Sequence, residues 1–369
     1  MKDHYHIVFD GRMINAKMTG ITRHLVNLLN GLNQVAPKNK YTVILNSKEA
    51  FEFFGDKVDI VWAESKYMSL KGYFEIPKII SMLKPDIFHN PSFTAVIPKG
   101  NVPYFMTIHD LIRITQEKNL LKKWFRKIFL KRACKKADRV LTVSENSKQE
   151  IKEVLSVSGD HIDVIYNGIQ DRFFKPVDAE RVKEVKQKYG LPDTYILYVG
   201  SHDVHRNLSG TIEAYVKSGV STPLVLALEW EQIKRYCERE IKPSNVICLG
   251  SVPDIDLLYL YKGASLFVFM SFIEGFGLPV VEAFASGVPV ITSNVSSLPE
   301  VSAGCAVEVD PWDTNAIAGA IKMVFNDDVL KNRNIQTGLE RAKEFTVKKM
   351  AERVLSVYES VLKQRGQNK

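Results

Sequence analysis

Two glutamates, Glu274 and Glu282, stand with seven residues between them inside the segment from Leu266 to Val301, LFVFMSFIEGFGLPVVEAFASGVPVITSNVSSLPEV. Gly275 and Gly277 lie between them and let a ligand come close to the backbone. The elements that must position them are readable around them. Leu266 to Met270 is an apolar run of buried-strand length, Ser271 to Gly277 is a loop, and Pro279 opens a short helix that ends at Gly287. A second strand, Val288 to Ser293, follows. Such a unit presents backbone N–H groups and a helix N-terminus at the carboxyl edge of a parallel sheet, where anionic ligands collect. Both carboxylates can then face one crevice. The plain alternative is a loop charge and a solvated helix residue.

Other residues with chemical potential sit at predicted strand ends. His6 to Asp10 is a first strand, and Gly11 and Gly20 precede a helix with apolar positions at Ile21, Leu25, Leu28, Leu29 and Leu32. Gly20 offers an amide to a phosphate, although no complete GxGxxG pattern accompanies it. Strands follow at Tyr41 to Leu45, Val58 to Val61, Asp86 to His89 and Tyr104 to His109, which puts His89 and His109 at carboxyl ends, with Asp110 beside the latter. Later strands are expected at Val140 to Val143, where the following SENS is a helix start, and at Val164 to Tyr166, before the turn pair Asn167-Gly168.

In the second half, strands fall at Tyr195 to Val199, Leu224 to Leu228 and Val246 to Leu249. Arg206 is placed at the start of the next helix, a cation where helix-end amides already favour phosphate. Asp254-Ile255-Asp256 matches a DxD metal motif, but its setting after Pro253 favours an N-cap role, and no metal is expected. From Ala316 the tail is helical, and its last helix, Val347 to Leu362, is long enough to return to the first domain.

Length and composition bound these readings. The 369 residues suit two domains, and 45% hydrophobic with 25% charged residues is ordinary globular composition. No apolar run reaches the roughly 20 residues of a membrane span, and MKDHYHIVFD enters a strand with no signal-peptide core, so a cytosolic chain is expected. The four cysteines lack metal-ligand spacing. A net charge of +8 attracts anions without naming them. Between Glu117 and Asp138 there is no acid, and basic residues from Lys118 to Lys136 alternate with Leu121, Trp124, Phe125, Ile128 and Phe129. This suits a helix lying on an anionic membrane. It equally suits a helix that packs Trp124 and Phe129 on its own domain. No nucleic-acid module accompanies the basic run, so no nucleic-acid partner is expected.

Taken together, Glu274, Gly275, Phe276, Gly277, Leu278, Pro279 and Glu282, with Gly287-Val288-Pro289-Val290 and Pro299-Glu300, resemble the E-x7-E region of the family-four retaining glycosyltransferases. The turn at Gly200, the segment VICLGSVPDIDLLYLYKGAS, Asn167-Gly168 and Thr19-Gly20-Ile21 extend the resemblance over nearly the whole chain. It implies an α/β GT-B fold, two Rossmann-like domains with parallel sheets facing a central cleft. Residues 1–172 would bind the acceptor, 173–346 the nucleotide diphosphate-sugar donor, and 347–369 would form a helix crossing back.

Carried over by position, Glu282 would bind the donor ribose. Glu274 and the amides of Phe276 and Gly277, in the Gly275–Leu278 stretch, would bind the transferred hexose. Arg206 would neutralise the diphosphate with help from Gly20, in a turn that includes Ser201 and Asn207. Backbone from Gly250 to Pro253, Val252 included, would meet the base, and His109 would lie beside the anomeric centre on the acceptor side. Where many members carry arginine this chain has Ser201, and His205-Arg206 stands for their Arg-Lys pair.

The implied enzyme is a retaining, metal-independent hexosyltransferase without cofactor, its donor a co-substrate. It would build surface polysaccharide such as lipopolysaccharide on a glycan or lipid-linked acceptor, with mannose the mild preference among sugars. The protein would be cytoplasmic, with a peripheral seat at the inner face of the cytoplasmic membrane if the Lys118 to Lys136 helix meets anionic lipid. A non-catalytic GT-B nucleotide-sugar-binding protein and an epimerase of the same fold are the alternatives.

Overall fold

The computed structural model describes residues 2–14, 19–201, 203–228 and 245–367. The chain forms two compact units, one of residues 1–168 with 346–369 and one of residues 169–345. The expected boundaries were 172 and 346. The second unit begins earlier because the Ile169 N–H donates to the Phe345 carbonyl at 2.8 Å, closing that unit on itself.

Among the described residues, the first unit has one parallel sheet of seven strands, ordered β3-β2-β1-β4-β5-β6-β7. They are β1 (His6–Asp10), β2 (Lys40–Leu45), β3 (Asp59–Trp62), β4 (Ile87–Asn90), β5 (Tyr104–Ile108), β6 (Arg139–Thr142) and β7 (Ile162–Val164). The second unit has a parallel sheet of six described strands, ordered β10-β9-β8-β11-β12-β13. These are β8 (Ile196–Val199), β9 (Leu224–Ala227), β10 (Val246–Cys248), β11 (Leu266–Phe269), β12 (Val290–Ser293) and β13 (Val307–Val309). Both sheets are doubly wound, and their order reverses between β1 and β4 and between β8 and β11. Open α/β sheets bind ligands outside the carboxyl ends of strands at such a reversal.

Strand alternation divides each core. In β1, Ile7 and Phe9 face one layer, with the Gly20–Val35 and Val347–Gln367 helices, while Val8 faces the other. The C-terminal helix belongs to the first unit because glycines admit it. A Cβ on Gly31 would lie 2.3 Å from the Val347 carbonyl oxygen, and one on Gly168 would lie 2.6 Å from Val347 Cα. The same helix buries Tyr358, whose hydroxyl bonds His89 Nδ1 at 2.5 Å, and its Arg365 forks onto Asp138 at 2.7 and 2.8 Å.

The close approach of backbone at Gly31 is testable. Gly31→Ala is expected to lose about 1–3 kcal/mol by overpacking. Gly319→Ala, where a Cβ meets nothing within 4 Å, is expected to gain about 0.5–1 kcal/mol from helix propensity. Urea denaturation of both variants checks this, and an unchanged midpoint for Gly31→Ala would refute the packing account.

Candidate active site

Glu274 reaches its position through a loop tied down by two serines. Ser296 Oγ and Ser297 Oγ donate to the Glu274 carbonyl at 2.8 and 3.0 Å, and Ser297 Oγ also meets the Phe276 carbonyl at 3.1 Å. Gly277 then turns into the Leu278–Ala285 helix with φ of +102°, and a Cβ there would lie 2.6 Å from Leu298 Cδ2, so only glycine suits. Buried within this loop, the Glu274 carboxylate pairs with Arg206. Phe269 lies under the Arg206 guanidinium, 5.3 Å from ring centroid to Cζ.

Arg206 follows β8 and Glu274 follows β11, so the two come from the strands flanking the sheet reversal. A buried carboxylate needs a partner to offset its desolvation. Glu282, on the Leu278–Ala285 helix, is only 4% exposed. Neither glutamate is a solvated charge.

Two local expectations are corrected. Arg206 does not begin a helix: it ends the short 3-10 turn Val204–Arg206, and Asn207, left-handed at φ +50°, is the N-cap of Leu208–Ser218. Tyr198 Oη, bonded to the Ser201 and Arg206 carbonyls at 3.3 Å each, holds that turn, and Asn207 Nδ2 donates to the Pro311 carbonyl at 2.7 Å. The DxD aspartates do not cap, since Pro253 occupies the N-cap position without a side-chain bond. Asp254 pairs with Arg172 at 2.5 Å, and Asp256 with Lys188 at 2.5 Å and with Tyr189 Oη at 2.8 Å. Ser201 donates to Asp203 at 2.7 Å, and Val252 is half-buried in the loop before the Asp254–Gly263 helix.

In the first unit, His109 follows β5 and is buried, its Nε2 3.1 Å from the Pro91 carbonyl. A carbonyl only accepts, so Nε2 carries the proton. His24 meets the His109 ring edge to face, with centroids 4.5 Å apart and planes at 82°, and bonds Asn167 Oδ1 through Nδ1 at 2.7 Å. Burial pushes the His109 pKa down to about 4. Burial first, and the neighbouring His109 second, push that of His24 down to about 3. His89 bonds Tyr358 and Thr107 through its two ring nitrogens, which makes it a core residue. Gly20 opens the Gly20–Val35 helix behind its cap Thr19, and nothing within 4 Å would meet a Cβ there, so packing does not demand a glycine.

Sequence reasoning missed His24 and the serine pair. A histidine within an amphipathic helix gives no signal of its own, and two serines after β12 look like ordinary loop.

Known proteins match both units. Residues 18–173 match the family described as Glycosyltransferase Family 4, and residues 181–341 match Glycosyl transferases group 1. The chain belongs to this glycosyltransferase family, and its fold is GT-B. Among its relatives is O-antigen chain mannosyltransferase B of Escherichia coli, 33% identical over 286 residues that cover 74% of each chain. Another is the serotype-specific mannosyltransferase WbdA of Escherichia coli, 31% identical over 68% of this chain but only 34% of its own length. The structure of Anabaena Alr3699/HepE in complex with UDP and glucose superposes with a TM-score of 0.79 at 16% identity, over 97% of this chain and 100% of that one.

The imidazoles give a pH prediction with a definite sign. Unfolded histidine titrates near 6.5, so below that pH the unfolded chain binds protons that buried His24 and His109 refuse until about pH 3 and 4. Their contribution to stability is complete above pH 6.5 and is lost as pH falls toward those values. His24→Phe should flatten the fall by about 1.4 kcal/mol per pH unit. Urea unfolding between pH 7.5 and 4.5 checks it, and equal slopes for variant and parent would refute it.

Proposed function

We propose that the protein is a retaining, metal-independent hexosyltransferase that moves a sugar from a nucleotide diphosphate-sugar to a hydroxyl of a glycan or lipid-linked acceptor in surface polysaccharide synthesis. The observation that carries this is the pair of half-buried Arg206 and buried Glu274 at the β8/β11 reversal, an anion-binding cation and a hydroxyl-binding carboxylate side by side. Relatives named as O-antigen mannosyltransferases support mannose as the sugar and O-antigen as the product class.

In this mechanism the hexose C1–O bond to diphosphate breaks while the acceptor oxygen bonds C1 on the same face, through an oxocarbenium-like transition state. The acceptor's proton passes to the departing phosphate oxygen. Arg206 and the amides at the start of the Leu278–Ala285 helix stabilise the charge that develops there. Phosphate draws Arg206 from its carboxylate, and Glu274 is then free to accept from sugar hydroxyls. Glu282 holds the ribose. Ser201 and Asn207 belong to the turn that shapes the phosphate end, Val252 to the loop that meets the base, and Gly275 to Leu278 to the hexose cradle. In the first unit, His109 offers a neutral imidazole to the acceptor.

Removing one preorganised charge from such a site costs about 10²–10³-fold in turnover. Glu274→Gln and Arg206→Met are each expected to lose that much transfer from GDP-mannose. Arg206→Lys should lose less, and EDTA should leave the parent rate unchanged. Wild-type turnover in Glu274→Gln would remove the site assignment, and full inhibition by EDTA would remove the metal-free mechanism.

The acceptor's lipid end has a candidate seat in the first unit. No helix among the described residues is long and apolar enough to cross a membrane. The Leu120–Lys136 helix instead leaves Leu121 72% and Trp124 56% exposed, beside eight basic residues. Tyr73 contacts Phe129 at 6.2 Å, which extends the apolar surface to Phe74, 70% exposed, on the Leu70–Leu83 helix. Exposed aromatics with flanking cations suit insertion into an anionic bilayer surface. Flotation with phosphatidylglycerol vesicles should recover the protein, and phosphatidylcholine vesicles should not. Recovery unaffected by Trp124→Ala with Phe125→Ala would count against this seat.

A further inference from the structure

The Glu274 loop has an aromatic neighbour that the transfer chemistry leaves unused. Trp312 sits in the turn after β13, at the carboxyl edge of the sheet that carries Arg206 and Glu274, and is 64% exposed. It stacks on Phe272, with centroids 5.0 Å apart and planes at 23°, and Phe272 lies two residues before Glu274.

The turn is fixed. Asp310 Oδ1 accepts from the Trp312 N–H at 2.9 Å, and Asp313 caps the next helix by accepting from Asn315 and Ala316 at 2.9 and 3.0 Å. It is also tied to both site loops. Asn207, beside Arg206, donates to the Pro311 carbonyl at 2.7 Å, and the Phe272 N–H donates to the His205 carbonyl at 2.8 Å.

A single exposed apolar residue is ordinary on a protein surface. This ring is different because it stacks on Phe272 in the loop that carries Glu274 and still leaves most of its surface open. A residue needed only to plug the turn would turn inward and gain by burial. An aromatic plate with an exposed carboxylate, Asp310, beside it matches one ligand class well. A pyranose presents a face of C–H groups to the indole by dispersion and water exclusion, and its hydroxyls reach the carboxylate at the rim.

We infer that Trp312, stacked on Phe272 beside the Glu274 loop, is a subsite that stacks a pyranose ring of the acceptor glycan, away from the reacting hydroxyl. This rests on the transferase reading above. The donor does not account for the platform. Its hexose belongs to the Glu274 cradle and its base to the loop after β10, at the far end of a sheet that finishes with β13, about 24 Å away at strand spacing.

The test uses the full chain, GDP-mannose and α-linked manno-oligosaccharides of two to six residues. The parent's kcat/KM should rise with acceptor length. Trp312→Ala should raise KM for the longer acceptors about tenfold, with kcat, KM for GDP-mannose and donor hydrolysis unchanged, while Trp312→Tyr retains most of the effect. Calorimetry without donor should show hexasaccharide binding to the parent and its loss in Trp312→Ala. An exposed ring predicts equal melting temperatures. Unchanged length dependence in Trp312→Ala, a rise in donor KM instead, or no oligosaccharide binding to the parent would each overturn the subsite. Oligosaccharide binding with no nucleotide-sugar binding would overturn the transferase mechanism alone.

Discussion

The ion pair between Arg206 and Glu274 is the constraint to which the second unit answers. Taking the Glu274 carboxylate out of water is costly, and removing the half-buried Arg206 would leave it as an uncompensated buried charge. Their loops are held by side-chain bonds to backbone. Ser296 and Ser297 grip the Glu274 backbone, Tyr198 spans the Arg206 turn, and Phe269 lies beneath the guanidinium. Gly277 completes the arrangement, because the left-handed turn into the Leu278–Ala285 helix leaves no room for a Cβ against Leu298. The loops held this way are preorganised, so that on binding only the Arg206 side chain has to move from carboxylate to phosphate.

The first unit solves the opposite electrostatic problem. Its sheet edge and core hold neutral imidazoles, kept so by burial, with His24 against His109 and His89 bonded to Thr107 and Tyr358. The Tyr358 bond makes the C-terminal helix part of this core, although 345 residues of chain precede that unit's second segment. Close packing at Gly31 and Gly168 is the reason the return works, since any side chain there would push the helix away.

How much of this was legible from residues alone depended on the range of the interaction. Strands such as β8 and β11 are runs of apolar residues of the right length, and their positions were readable to within a residue or two. The GFGLP turn was readable too, because glycine and proline have local meanings. The short β13 lacked a strong apolar run and was not anticipated. The contact between Arg206 and Glu274 spans 68 residues of chain and depends on β8 lying beside β11, an order set by tertiary packing. Local rules also misled. Asp254 looked like a cap until Pro253 took that position, and Arg206 looked like a helix start because a left-handed asparagine is hard to foresee. His24 was invisible because its meaning comes from Asn167 and His109, neither of which is near it in sequence.

The exposed aromatic groups of the two units are chemically distinct, and that distinction bears on what each can meet. Around Trp124 and Phe125 the apolar surface is broad, spread over two helices and flanked by cations, so it suits a partner that is extended, apolar and anionic. Trp312 is one exposed ring stacked on Phe272, with carboxylates at Asp310 and Asp313 in the same turn, which suits the neutral hydroxylated ligand proposed for it. The lipid-linked glycan proposed as the acceptor would be apolar and charged at one end and neutral along its length, and would meet both kinds of contact.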